Sequence, residues 1–392
     1  MRPLEGITVV SLEHAVAAPL ATRHLADLGA RVIKIERPGA GDFARGYDTR
    51  VRGEASHFIW INRSKESLTL NVKHPEAAKI LRGLLTDADV LVQNLAPGAA
   101  ERLGLSFADL HPLNPRLITC NISGYGPGGP DTERKAYDML IQAEAGFLSV
   151  TGTPDAPAKA GISVADIAAG IYAYNNILAA LLQRGRTGKG CNIDISMLEA
   201  MAEWMGYPMY YAYDGAPPPP RAGASHATIF PYGPFPAGDG RDVILGIQSE
   251  REFAKFCDLI LGDAALATDP RFDSNSNRSA NAAALTAIIT AAFADSTAEE
   301  IIARLDAAGI ANARLNDMAG LWAHPQLKAR NRWREVETPA GPVPALLPPG
   351  NLGDTAPRMD PVPALGAHTA TILASLGYDS AQIDTLTGEG AV

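Results

Sequence analysis

Near the start of the chain, short apolar runs of strand length alternate with helical stretches, and this pattern narrows the fold more than any other feature. "GITVVSL" is followed by "PLATRHLADLGA" and "RVIKIE"; further on, "PEAAKILRGLL" leads to "DVLVQNL" and "RLITCNIS". Strands that alternate with helices pair in parallel, so the reading is an α/β fold built on a Rossmann-like parallel sheet wrapped by helices. Such sheets bind ligands at the carboxyl ends of their strands. Here those ends are the loops around Ser11 to Ala18, Glu36 to Gly41, Asn94 to Gly98 and Ser123 to Gly129.

The rhythm then changes. A helical pattern runs from Ser163 to about Gln183 and gives way to the strand-like "CNIDISM" and another helix. "DGAPPPPRAGASH" reads as a linker or ordered loop, "IFPYGPFPAGDGRDVILGI" as a hairpin region, and residues 250 to 310 as helices. A second irregular stretch, "TPAGPVPALLPPGNLGDTAP", precedes one or two closing helices. The organisation expected is a large domain over residues 1–205, a linker over 206–224, a smaller α+β domain over 225–330, and a linker with C-terminal helices over 331–392 that return to the large domain. A chain of 392 residues, 46% of them hydrophobic, is long enough for that division.

Charge and motifs exclude several functions. With 34 Lys and Arg against 43 Asp and Glu the net charge is -9, which argues against a broad nucleic-acid or anionic-membrane footprint but leaves room for a local anion pocket. The three cysteines, Cys120, Cys191 and Cys257, are far apart and in no metal-ligand spacing; no metal site is expected. "MRPLEGITVV" lacks a signal-peptide core, and no apolar run approaches the length of a membrane span, so the expectation is a soluble, cytoplasmic protein. After the first strand the chain reads "SLEHAVAAP", without the glycines a dinucleotide needs, and there is no P-loop, H-E-x-x-H or G-x-S-x-G.

One carboxylate stands out. In "AGISVADIAAGIYAYNN", Ser163 and Asp166 form a capping-box pattern at a helix start, with Asp166 also suited to the positive end of the helix dipole.

The ordered segments "PLEGITVVSLEHAVAAPLATRHLADLGARVIKIERPGAGD", "NRSKESLTLNVKHPE", "VQNLAPGAAERLGL", "SGYGPGGP", "ISVADIAAGIYA" and "LGAHTATIL" resemble the signature segments of the class III CoA-transferases, the CaiB/BaiF family. The resemblance implies a Rossmann-like large domain formed by both chain ends, a small domain, and an interlocked homodimer. It implies transfer of CoA from an acyl-CoA thioester, such as succinyl-CoA, to a free carboxylate, with no tightly bound cofactor. The family's nucleophilic aspartate matches Asp166, which would pass through a mixed anhydride and an aspartyl-CoA thioester, splitting one hard exchange into easier steps. Amides at the helix start would keep Asp166 ionised at neutral pH.

The same resemblance implies CoA contacts at Val16, Ala17, Arg37, Lys73, Asn94, Leu95 and Arg102, and places Lys135 and Tyr137 near the thioester. "SHATIFPYGPFPAGDG" is similar to the branch that handles small dicarboxylates, which makes Arg221, Ser225 and His226 candidates for a distal carboxylate. For each there is a plainer reading: surface charges for the cations, a helix cap for Asn94, a core aromatic for Tyr137, and a hinge with His226 satisfying loop carbonyls. Acyl-CoA racemases of the same family carry Gly-His-Asp where this chain has Ala136, Tyr137 and Asp138, and tyrosine, with an ordinary pKa near ~10, is a poor base at neutral pH. A racemase of 2-methylacyl-CoA and a non-catalytic CoA-binding protein are the alternatives to a transferase.

Overall fold

The computed structural model describes residues 1–350 and 352–392. They divide into two compact units, one made of residues 1–146, 160–206 and 329–392, the other of 147–159 and 207–328. Residues 147–159, which the sequence reading kept in the large domain, belong to the second unit, as does the proline-rich passage read as a linker.

The first unit is built on strands β1 (Thr8–Leu12), β2 (Arg31–Glu36), β3 (Lys65–Thr69), β4 (Val90–Gln93), β5 (Ile118–Ser123) and β6 (Asn192–Ser196). All pair in parallel in the order β3-β2-β1-β4-β5-β6. Val9 of the central β1 stands opposite Val32 on one side and Val90 on the other, and it is fully buried. Continuous apolar runs are what a doubly covered parallel sheet requires. The strand order reverses between β1 and β4, so a crevice opens at their carboxyl ends.

One face of the sheet is covered by the helix Ala77–Thr86, whose Ile80, Leu81, Leu84 and Leu85 recur at helical spacing and join Leu68, Leu70 and Leu91 in the core. The closing helices Thr369–Ser375 and Ser380–Gly388 add Ile372, Leu373 and Leu386. They also blunt the edge strand β3, because the Ser67 and Thr69 N–H groups donate to His368 Nδ1 and Thr369 Oγ1 at 3.1 and 3.0 Å.

The helices Ala17–Asp27 and Val164–Thr187 pack closely against each other. Gly170 permits that approach, since a Cβ there would lie 2.6 Å from the Ala17 carbonyl oxygen. Contrary to the expectation from sequence, Val164–Thr187 is long and apolar enough to span a bilayer by length and composition. Its Ala165, Ala168, Ala169, Ala173, Ile177 and Ala180 are buried instead, so small apolar residues serve the packing. A second correction concerns the irregular stretch near residue 340, where β11 (Val343–Leu346) pairs antiparallel with β10 (Trp333–Val336). Pro344 hid this strand, and a two-stranded ribbon tolerates it because proline is accepted at sheet edges.

The second unit has an antiparallel sheet, in which the hairpin β7 (Tyr232–Pro236) and β8 (Asp242–Gly246) is joined by β9 (Ala311–Arg314). Helices Glu250–Phe256, Ala282–Phe293 and Ala298–Ala308 supply Phe253, Phe256, Ile289, Phe293 and Leu305 to its core. The first and last of these start in capping boxes, Ser249 with Glu252 and Thr297 with Glu300.

Candidate active site

The loop after β1 is held at successive residues. The buried Glu13 carboxylate accepts from Lys65 Nζ and Thr22 Oγ1, both at 2.7 Å, and pairs with Lys34 at 3.4 Å. Burial pushes Glu13 up, but Lys65 and Lys34 reverse the effect and hold it below the ordinary carboxylate range. His14 exchanges hydrogen bonds with Asn94 across the crevice: its N–H donates to Asn94 Oδ1 and its carbonyl accepts from Asn94 Nδ2, each at 2.9 Å. Ala15 has φ +60 and donates its N–H to Asp42 Oδ1 at 3.1 Å. Val16 then receives the Leu20 N–H and the helix begins at Ala17.

Asp166 lies in the first turn of Val164–Thr187. Ser163 makes no side-chain cap there, so the predicted capping box does not form. The cap is Asp138, whose Oδ1 accepts from the Ala165 and Asp166 N–H groups at 2.8 and 3.3 Å. Gln142 holds the other oxygen of Asp138 at 2.6 Å, and its own Oε1 accepts from Ala160 N at 2.9 Å.

Relieved of capping, the Asp166 carboxylate is faced by the N–H of Ala17. Burial lifts its pKa most, the Asp138 charge adds to that, and the Ala17 N–H opposes both, leaving Asp166 raised from the ordinary 3.8 to about 7. The expectation of a fully ionised carboxylate is therefore corrected. Removal from water and a neighbouring carboxylate outweigh the amides of the helix start.

The remaining ligand candidates sit in loops that follow the carboxyl ends of the strands. Val16 and Ala17, after β1, are buried, and Ala17 turns its N–H to Asp166. Arg37, after β2, is exposed and near enough to His14 to contribute to that imidazole's lowered pKa, of which burial is the main cause. Lys73, after β3, is exposed. After β4, Asn94 holds His14 rather than capping a helix, and Leu95 packs partly against the core. The Arg102 guanidinium folds over Gly98, where a Cβ would lie 2.8 Å from its Nη1. After β5, Lys135 is exposed, and Tyr137 is 69% exposed and so is no core aromatic.

In the second unit two of the three dicarboxylate candidates are engaged with neighbouring backbone groups. Arg221 donates to the Thr153 and Pro154 carbonyls at 2.9 and 2.8 Å. His226 stacks on Tyr232 with centroids 5.3 Å apart, and its Nδ1 accepts from Thr228 N and Ile229 N, both at 3.1 Å. The ring thus satisfies loop amides, not the carbonyls expected, and its proton belongs on Nε2. Ser225 is exposed beside Gly233, where a Cβ would lie 2.5 Å from its hydroxyl.

Sequence reasoning passed over Asp42, Tyr47 and the capping role of Asp138. The Tyr47 phenol is raised by burial and then by the charges of Asp42, Asp166 and Tyr137. It belongs to a row of rings in which His14 stacks on Phe43 at 5.2 Å and Tyr47 meets Phe43 and His57 at 5.8 and 5.4 Å. Asp42 ends the first quoted motif, the one signal that pointed to it. A recess of about 720 Å³ in this unit, walled in part by His24, Asp27 and Tyr174, contains neither Asp166 nor the ligand candidates. Among the described residues no cluster of His, Cys, Asp or Glu is arranged to hold a metal ion.

Residues 4–369 match the family model described as CoA-transferase family III. The chain is 34% identical to the succinyl-CoA:glutarate CoA-transferase of Mus musculus, with 100% of this chain and 91% of that protein aligned. To the succinate--glutarate CoA-transferase of Agrobacterium fabrum it is 35% identical over 95% of this chain and 96% of the relative. The fold is similar to the crystal structure of a CaiB/BaiF family protein from Brucella suis, at TM-score 0.84 and 36% identity, covering 96% of this chain and 99% of that one.

Proposed function

The chain belongs to CoA-transferase family III and is an enzyme that transfers CoA; from this premise we propose that it moves CoA from succinyl-CoA to a small dicarboxylic acid, with Asp166 as the covalent carrier. The observation that carries the reading is the Asp166 carboxylate itself, lifted to about 7 and faced by a helix N-terminal amide. An oxygen of the ionised carboxylate attacks the thioester carbonyl carbon, and the C–S bond breaks to give a mixed anhydride and CoA thiolate. The thiolate then attacks the aspartyl carbonyl, succinate leaves, and an aspartyl-CoA thioester remains. An acceptor carboxylate attacks that thioester, the released thiolate attacks the new acyl carbonyl, and the Asp166 carboxylate is regenerated. No net proton is transferred. Oxygen charge develops at each tetrahedral step, where the Ala17 N–H is a ready donor.

Arg37, Lys73, Arg102 and the Asn94 loop, following the strand ends, supply the charge and donors for the CoA phosphates in this reading, with Lys135 and Tyr137 near the thioester. Relatives named for glutarate, citramalate and malate support a dicarboxylic acceptor. Asp138 is committed to two amides and Tyr137 replaces the histidine of racemases, which disfavours proton abstraction. The same reading has two chains interlock as a homodimer in the cytoplasm, where the unpaired Cys120, Cys191 and Cys257 stay reduced.

The test is CoA exchange from succinyl-CoA to a panel of mono- and dicarboxylic acids. A four- to six-carbon dicarboxylate should exceed the monoacid of equal length by roughly a hundredfold in kcat/KM, because an unpaired buried donor costs more than a missing methylene. Equal efficiency with pentanoate and glutarate would remove the dicarboxylate assignment.

A further inference from the structure

We propose that Asp42 and Ala15 form a clamp that positions the Ala17 N–H against Asp166, a role that rests on Asp166 being the covalent carrier. Asp42 is fully buried and saturated: Oδ1 accepts from Ala15 N at 3.1 Å and Ala44 N at 2.9 Å, and Oδ2 accepts from Lys34 Nζ at 2.7 Å. It is itself anchored, since its N–H donates to Glu36 Oε1 at 3.0 Å, while Glu36 is held by Arg45 and Ser67.

The group this cluster grips is unusual. Ala15, with φ +60, occupies the left-handed region that residues with a Cβ adopt at a cost, and such a conformation persists only where the surroundings determine it. Asp42 on the Ala15 N–H, together with Asn94 on both backbone groups of His14, supplies that determination. The reversal at Ala15 starts the helix at Ala17, which packs against the helix of Asp166 so closely that a Cβ on Gly170, one turn beyond Asp166, would lie 2.6 Å from the Ala17 carbonyl oxygen; the Ala17 N–H is the amide that favours the Asp166 anion. The buried charges beneath the crevice thus fix a donor before any substrate arrives.

Asp138 and Tyr47 are the ionisable groups coupled by charge to Asp166, and Tyr47 is coupled to Asp42 as well; Lys34 and His14 lie 2.7 and 3.9 Å from the Asp42 carboxylate. The Ala17 N–H lowers the pKa of Asp166, so a displaced loop raises it and moves the acid limb of activity to higher pH.

The experiment uses the full chain with Asp42→Asn and Ala15→Val, reading kcat, KM for succinyl-CoA, the pH profile and amide hydrogen exchange at residues 14–17. Each variant should lose roughly tenfold or more in kcat with KM changed by less than about twofold, since the donor acts mainly in the transition state. The acid limb should rise by about half a pH unit, and exchange in the loop should speed up. Adding Ala15→Gly to Asp42→Asn should restore part of kcat, because glycine takes positive φ without strain. Folded variants with wild-type kcat, acid limb and exchange would overturn the clamp. If Asp42→Asn does not fold, Ala15→Val decides alone, because it leaves the buried charges intact. If the wild type transfers no CoA, the carrier reading fails, and loop exchange in the two variants still decides the clamp.

Discussion

At Asp166 the balance between the carboxylate and the neutral acid is set by burial and two neighbours. Burial and Asp138 favour the neutral acid, and Ala17 favours the anion. Because attack needs the anion, activity should rise with pH through about 7 and fall below it. Asp138→Asn keeps an oxygen to cap Ala165 and Asp166 but removes the charge, so the Asp166 pKa drops and the acid limb of kcat/KM should move down by about half to one pH unit. An unchanged limb in a folded variant would show that burial alone poises the carboxylate. The motif around Asp166 singles it out in the sequence, whereas its environment is not legible there. Ser163 lies at the correct sequence spacing for a cap, yet the cap comes from Asp138, 28 positions away and brought in through space.

Among the elements, the strands were the most readable, because parallel strands buried on both faces leave continuous apolar runs. The charges inside them were not. Lys34 in "RVIKIE" and Lys65 at the start of β3 look like surface residues in sequence but are fully or nearly fully buried on Glu13 and Asp42. Burial drags Lys65 down to about 7 even against the Glu13 charge, and its ammonium still donates to Glu13, Pro19 and Asn62. Likewise nothing in "DIAAGIY" reveals that Gly170 is where two helices touch. Gly170→Ala should push Val164–Thr187 away from Ala17. The added helix propensity, up to ~1 kcal/mol, is offset by an overpacking cost of about 1–3 kcal/mol. The expected result is a modest fall in Tm with roughly tenfold lower kcat or more, as a small displacement of a reacting group suffices for that. A variant that kept wild-type kcat would separate the helix contact from the chemistry.

For the whole molecule, the chain leaves its first unit twice, at 147–159 and 207–328, and returns each time. The shorter excursion escaped the sequence reading because "VTGTPDAPAK" carries turn residues and no periodicity to assign it. The helix Gly206–Tyr211 buries none of its residues, and Tyr207, Met209 and Tyr210 are 56%, 60% and 79% exposed. In the proposed interlocked assembly, an apolar stretch of this kind would be covered by a second copy. Light scattering should report a dimer that persists on dilution to nanomolar concentration, and a stable, active monomer would contradict the assembly.

The central claim is that Asp166 carries CoA covalently. Its most direct measurement is peptide mass spectrometry after brief incubation with succinyl-CoA and trapping with borohydride or hydroxylamine. The account predicts reduction or hydroxamate formation at the Asp166 carboxyl in the wild type and none in Asp166→Asn. An unmodified Asp166 in an enzyme that turns over, or full turnover by Asp166→Asn, would contradict it.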